Sequence, residues 1–442
     1  MDDTVIGNSR WMSALFGISA VTLVGMIIAF PSEAFTASLS GLQVWWEFVF
    51  PALLPFFILS ELLLGLGMIH AVGVLLEPLM RLLFRLPGAG GWAVAMSFTI
   101  GFPAGAKAAA DLRKQGLVSR QEGNRLLALS HLCSPVFLTS VVAVGFWGHA
   151  ELGLPLIIIH LVSALITGLI TARIVLPAAE RMYGRSRRPP LPATSPEEEA
   201  MLLLRRRLRP ALPRRMLDSM LMAQRQDGRT IGKLLGEAVG SSVQSLLVIG
   251  GFMILFSVLL KLLSVSGVTG GLQLVVQALL IPWGMPPQLS EGAITALFEV
   301  HLGAYSISQS GDAGVWGAAI LSSIIGWGGL SVHAQVKSLI AGTDLRYTPF
   351  LAARILHSAL SIIVTFVLWE PMRRWLFPGS AGETAFSPLP DSIVPDAAEI
   401  VTVWPQYGGS LKLMALFLLA ATGLSLFVRV FLPKGLFDFR RN

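Results

Sequence analysis

Charge is scarce in this chain. Only 13% of its 442 residues are Asp, Glu, Lys or Arg, while 54% are hydrophobic and the mean hydropathy is +0.69. A soluble protein of this size carries about 25% charged residues. So large an apolar excess cannot be hidden in one core, and lipid must act as solvent for much of it. Cysteine is nearly absent. The single Cys133 excludes an intrachain disulfide framework and says nothing about compartment. Its apolar neighbours mark it as a small buried hydrophobe rather than a reactive thiol. Also missing are a G-x-x-x-x-G-K-[ST] phosphate loop, an H-E-x-x-H helix and any paired-cysteine metal spacing. No catalytic residue, metal ligand or cofactor is therefore nominated. The expectation is a non-enzyme, and any transport by this chain alone would be passive or ion-coupled.

What is present is long, unbroken apolar runs such as Met12–Phe30 and Leu154–Leu176. Only helices and closed barrels satisfy every backbone polar group in lipid. Barrel strands would alternate in short segments, and these runs do not. The predicted fold class is all-α, a polytopic transmembrane helical protein. Met12–Phe30 exceeds a signal h-region and Pro31-Ser32-Glu33 is a poor cleavage site, so it reads as a retained signal-anchor helix. The net charge of +7 and pI near 9.9 do not indicate nucleic acid. The basic residues concentrate in Lys107–Arg125 and Arg181–Lys233, flanking apolar segments as cytoplasmic loops do.

The organisation expected is an N-terminal signal-anchor helix over 1–40, a first membrane repeat over 41–177 and a basic cytoplasmic insert over 178–233. A second membrane repeat over 234–372, an acidic external loop over 373–410 and a C-terminal helix with basic tail over 411–442 follow. The repeats are read from the order of hydropathy. Each half has apolar helices, a broken segment, a second broken segment with Ser and His, then a clean span. The pairing sets Gly101–Lys107 against Phe298–Ser308, and Ser130–Val136 against Gly326–Val336. Interrupted helices at matching positions of two halves point to a transporter with its site near the midplane. Counting each apolar segment as a crossing gives an odd number per half and hence inverted repeats. That scheme leaves Arg81/Arg85 and Arg373/Arg374 on the outer side, against the charge rule. Treating 92–110 as re-entrant removes the first conflict but alters the count. Within the insert, the stretch near Met216–Arg225 is amphipathic and basic, suited to an anionic lipid surface, with a linker or a partner-docking module as alternatives.

Four clusters are candidates for the site. In the first, Gly101, Pro103 and Gly105 break a helix, and a half-helix starting near Ala104 would aim amide donors at an anion. Lys107 lies one turn inside; it either contacts the solute or snorkels to the cytoplasmic face with Asp111 as its i,i+4 neighbour. In the second, Ser134 and His131 offer hydrogen bonds beside Pro135. The third places Glu299 and His301 in an apolar stretch, where ionisable groups are functional candidates by default. On a continuous helix these two stand about 200° apart and need not share a cavity. In the fourth, Ser331, Gln335 and Lys337 follow Gly326-Trp327-Gly328-Gly329, with Ser331 and Gln335 on one face; a kink or close helix packing is the alternative.

Taken in order, several motifs resemble those of the sporulation integral membrane protein family called YlbJ or SpoVV. They are Gly101-Phe102-Pro103-Ala104-Gly105-Ala106-Lys107, Leu112–Leu117, Ser134-Pro135-Val136-Phe137, Leu297-Phe298-Glu299, Gly329–Val336, Ala341–Tyr347 and Ala353-Arg354-Ile355-Leu356-His357. The resemblance covers about residues 40–370. The chain departs from the family pattern at His131-Leu132-Cys133, where more polar residues are usual. The family belongs to the nucleoside-recognition Gate group, similar to part of the concentrative nucleoside carriers. The resemblance implies two inverted Gate-type repeats with broken or re-entrant helices, and a multi-pass protein of the outer forespore membrane of the mother cell. It also implies a role in moving dipicolinic acid for the spore, with nucleoside transport or a non-transporting assembly role as alternatives. A planar dianion would suit Lys107, Lys337 and half-helix N-termini. The partners implied are that anionic solute, the bilayer, and a second copy of the chain or other sporulation membrane proteins.

Overall fold

The computed structural model describes residues 3–175, 211–311 and 314–376. The C-terminal helix with its basic tail, most of the basic insert and all but residues 373–376 of the expected acidic loop lie outside the described residues; 373–376 are helical. Within the described residues every regular element is helical, and five helices are long and apolar enough to cross a membrane.

Helix α1 (Asp3–Ala29) leads into two successive sets of elements built alike. The first set is α2 (Pro31–Gly65), α3 (Met68–Phe84), the pair α4 (Gly90–Ile100) and α5 (Phe102–Lys114), the pair α6 (Arg120–Leu129) and α7 (Phe137–Phe146), and α8 (Gly153–Ile170). After α9 (Leu212–Asp227), from the insert, comes the second set. It comprises α10 (Ile231–Val265), α11 (Val268–Leu280), the pair α12 (Leu289–Phe298) and α13 (Val300–Ser308), the pair α14 (Gly314–Trp327) and α15 (Gly329–Ile340), and α16 (Tyr347–Leu376). α2 and α10 are both 35 residues long, and each turns into the next helix at a left-handed glycine, Gly67 or Gly267.

The register of α2 on α10 shows that the repeats are inverted. Ser257 Oγ donates to Ala37 O at 2.7 Å, Trp45 Nε1 donates to Leu246 O at 3.0 Å, and Gly65 lies against Leu234. One number falls as the other rises, so the leading helices of the two halves run antiparallel.

The pairs α4/α5 and α12/α13 are hairpins. A Cβ added to Gly105 would lie 2.6 Å from Ser97 Cβ, and one on Gly303 would lie 2.2 Å from Ala296 Cβ. Each second helix doubles back along the first, so 92–110 and its counterpart re-enter rather than cross. The physical reason is local. Gly101 adopts φ 107° and ψ −166°, a conformation essentially closed to residues with a Cβ. Helices of 11 and 13 residues are also too short, at about 1.5 Å per residue, to span a hydrocarbon core of about 30 Å. The crossing count drawn from hydropathy is corrected accordingly. α3 and α11 are likewise absent from the long apolar spans. The inversion rests on the antiparallel register of α2 and α10 and not on a crossing count. A hairpin returns to the end it left, which brings Arg81 and Arg85 to the same end as Arg113 and removes that conflict.

The second pair in each half continues past its break. α14 and α15 form one span-length unit, Gly314–Ile340, interrupted where Gly328 (φ 89°) and Gly329 (φ 78°) are both left-handed. In the first half the break runs through Ser130–Ser134, before Pro135. At one end of the bundle the halves are tied together. Arg113 donates to both carboxylate oxygens of Asp344 at 2.7 and 2.8 Å, and Arg346 N–H donates to Asn124 Oδ1 at 2.9 Å. Helix α9 docks nearby: Arg215 and Arg81 both pair with Glu77, and Met220 lies against Gly67. This described portion of the insert is a packed helix and not a free linker.

Two consequences can be measured. A methyl on Gly105 would come within 1.7 Å of the Ser130 carbonyl oxygen, a backbone atom that cannot swing away. Gly105→Ala should therefore lower stability in detergent by at least about 1–3 kcal/mol. Gly240→Ala, with nothing within 4 Å, should leave Tm unchanged or raised. The Arg113 guanidinium holds the Asp344 carboxyl below the usual carboxylate range. A depressed carboxylate stabilises above its ordinary pKa of about 3.9 and loses that contribution as pH falls through its folded value. Asp344 is 44% exposed, so Asp344→Asn should cost only about 0.2–1 kcal/mol near pH 7. The gap to wild type should close as melts are repeated towards pH 3.

Candidate functional site

The hairpin tips and helix breaks of both halves converge on one cavity of about 50 Å³. Ile100, Gly101, Phe102 and Pro103 come from the first tip, and Glu299 and His301 from the second. Cys133, Ser134 and Phe137 come from the break before α7, and Val332 and Gln335 from the start of α15. Leu53 and Phe57 on α2 face Ile249 and Phe252 on α10, closing the walls with the same helix pair that shows the inversion. The volume admits a few waters.

The tips differ in chemistry. At the first, Gly101 carries no side chain and no side chain caps α5; Pro103 has no N–H and Ala104 N–H donates to Gly101 O at 3.2 Å, so few amide donors are left there. Ser97 Oγ braces this tip by accepting from Leu132 N–H at 2.8 Å, and Ser130 Oγ donates to Gly105 O at 3.1 Å. At the second tip, Glu299 is 2% exposed and extended at φ −143°, ψ 120°. Its Oε2 caps α13 by accepting from Leu302 N–H at 2.7 Å, and His301 Nδ1–H donates to its Oε1 at 2.7 Å. The expectation that Glu299 and His301 stand on opposite helix faces is thus corrected. Glu299 lies at the break itself, which lets both side chains line the cavity.

Of the residues nominated from sequence, Gly101, Pro103, Ser134, Glu299 and Gln335 line the cavity. Gly105 lies behind it as the contact point between hairpin and break, and Ser331 is buried with its hydroxyl unpartnered. Lys107 and Lys337 are exposed and absent from the lining. The reason is helical phase: on α5 the neighbours Ala104, Ala106, Ala108 and Ala109 are buried, and position 107 points away from them. No ion pair joins Lys107 to Asp111 among the described residues, and His131, fully buried, stacks on Phe102 at 4.9 Å without reaching the lining.

A profile described as "Gate: Nucleoside recognition" matches residues 47–150, which run from within α2 to just before α8. The Sporulation integral membrane protein YlbJ of Bacillus subtilis (strain 168) is 40% identical over 350 residues, covering 79% of this chain and 81% of the relative. The chain belongs to the YlbJ family of sporulation integral membrane proteins. No solved structure matches it. In this YlbJ-family chain the Gate match falls on the first repeat, and the second repeat supplies Glu299, His301 and Gln335.

Sequence reasoning passed over the aromatic walls Phe57, Phe102, Phe137 and Phe252 as sites, because Phe is ordinary in any lipid-facing run. It also took Arg354 and His357 only as family matches. Arg354 had a physical signal available: it is a charge inside the long apolar stretch 349–370.

Proposed function

We propose that the chain is a sporulation membrane transporter that carries dipicolinic acid, a small anionic aromatic dicarboxylate, across the outer forespore membrane. The observation that supports this best is the single cavity on which both re-entrant tips and both breaks converge. Inverted repeats with broken helices around one central site suit alternating access, in which one half rocks against the other. Phenylalanine walls suit a flat aromatic ring. The N-terminus of α5, which no side chain caps, together with Ser134 and Gln335 suits its carboxylates. Glu299 opposes a full dianion, which favours entry of the acid in a less charged form. The end that carries Arg81, Arg113 and α9 is assigned to the cytoplasm by the excess of basic residues there.

A second reading is nucleoside transport, favoured by the nucleoside-recognition description of the matched profile and by the acid–amide pair Glu299 and Gln335, which would bind hydroxyls and base edges. Uptake by purified protein in liposomes separates the two. Dipicolinate should accumulate above empty vesicles, and a hundredfold excess of uridine should not compete. Glu299→Ala and Gln335→Ala should each reduce the initial rate about tenfold, near 1.4 kcal/mol of lost interaction. Lys107→Ala and Lys337→Ala should stay within about twofold of wild type. Dipicolinate uptake equal to that of empty vesicles, with uridine accumulating, would favour the nucleoside reading.

A further inference from the structure

Arg354, on α16, is 1% exposed and lies outside the cavity lining, yet no carboxylate pairs with it among the described residues. A buried guanidinium needs compensation. Here it comes from backbone. Nη2 donates to Ala128 O at 2.6 Å, and Nη1 donates to His131 O at 3.0 Å, to Gly326 O at 3.4 Å and to His357 Nδ1 at 3.1 Å. Ala128 is in the last turn of α6, His131 follows in the break, and Gly326 is in the last turn of α14. One side chain therefore covers the C-terminal ends of the leading halves of both broken spans, one from each repeat.

A helix C-terminus carries about −0.5 elementary charge in unsatisfied carbonyls. Two such ends sum to about −1, which one guanidinium offsets. At these breaks the negative ends are therefore cancelled away from the cavity. The N-terminal ends of α5 and α15, uncapped by any side chain, keep their positive ends beside it. Against them stand the C-terminal ends of α4 and α12 at the same tips and the Glu299 carboxylate, whose full charge exceeds the half charge at the N-terminus of α13, so the positive ends have little margin.

We infer that Arg354 sets the charge selectivity of the cavity, favouring anions without touching the solute, by neutralising the carbonyl ends of both breaks. This rests on the transport reading. Without its charge, two carbonyl ends sit uncompensated near the cavity and repel a carboxylate, while a neutral molecule of the same shape is unaffected.

The test compares dipicolinate with its neutral diamide, pyridine-2,6-dicarboxamide, by initial uptake rate and by equilibrium binding to the purified full chain. Arg354→Gln should lower the anion-to-amide ratio at least tenfold. Arg354→Lys, which keeps the charge but loses the fork, should hold the ratio within about threefold even if its Tm falls. His357→Glu pairs the guanidinium in place and should lower the ratio as the Gln variant does, which keeps the question answerable if Arg354→Gln fails to fold. A merely structural role would reduce the amount of active protein and leave the ratio alone. An unchanged ratio in both charge-neutralising variants overturns the inference. Wild-type protein that neither binds nor carries dipicolinate overturns the transport reading instead.

Discussion

A helix broken inside a bilayer frees backbone donors and acceptors that lipid cannot satisfy. The structure is arranged around that constraint at its breaks, and the partners are specific. Ser97 and Ser130 serve the junction of the first hairpin with the break at Ser130–Ser134, while His160 Nε2 accepts from Cys133 N–H at 3.0 Å. Glu299 caps its own hairpin, His333 bonds the Trp327 carbonyl at 3.0 Å, and Arg354 bridges the carbonyl ends of both broken spans. Each partner is buried, so removing one exposes a polar group to an environment without water to replace it.

Inversion turns those repairs into a site. Antiparallel repeats bring matching elements to one point from opposite directions, so two tips and two breaks share a cavity that neither half could enclose alone. The halves are not chemically equal. Gly101 leaves one tip without a side-chain cap, whereas Glu299 places a carboxylate at the corresponding position of the other. In the proposed transport cycle that asymmetry would orient the solute.

Much of this was legible in the sequence because hydropathy and helix breakers act locally. The spans, the two halves and the interruptions at Gly101, Ser134, Glu299 and Gly328 follow from run length, Gly, Pro and stray polar residues. Hydropathy left hairpin reversal open as one of two readings, since a Gly-broken apolar stretch of that length suits a crossing as well as a return. The Lys residues misled for a related reason. A cation beside a break looks like an anion ligand, but the face it occupies depends on which neighbours pack, and Ala104, Ala106 and Ala108 take the buried face. Arg354 was hidden by distance: its acceptors Ala128 and His131 are more than two hundred positions away in the chain.

Everything proposed for transport depends on the solute binding in the cavity between the two tips. Cys133 is the only cysteine in the chain and it lines that cavity. Because the thiol is buried, its modification by a small neutral methanethiosulfonate is slow and limited by openings of the cavity, and that rate can be read on the wild-type protein without any substitution. Dipicolinate should slow this modification in a saturable manner, while an aliphatic monocarboxylate such as acetate should not. A rate unaffected by dipicolinate at concentrations that saturate its binding or uptake would contradict binding at this site.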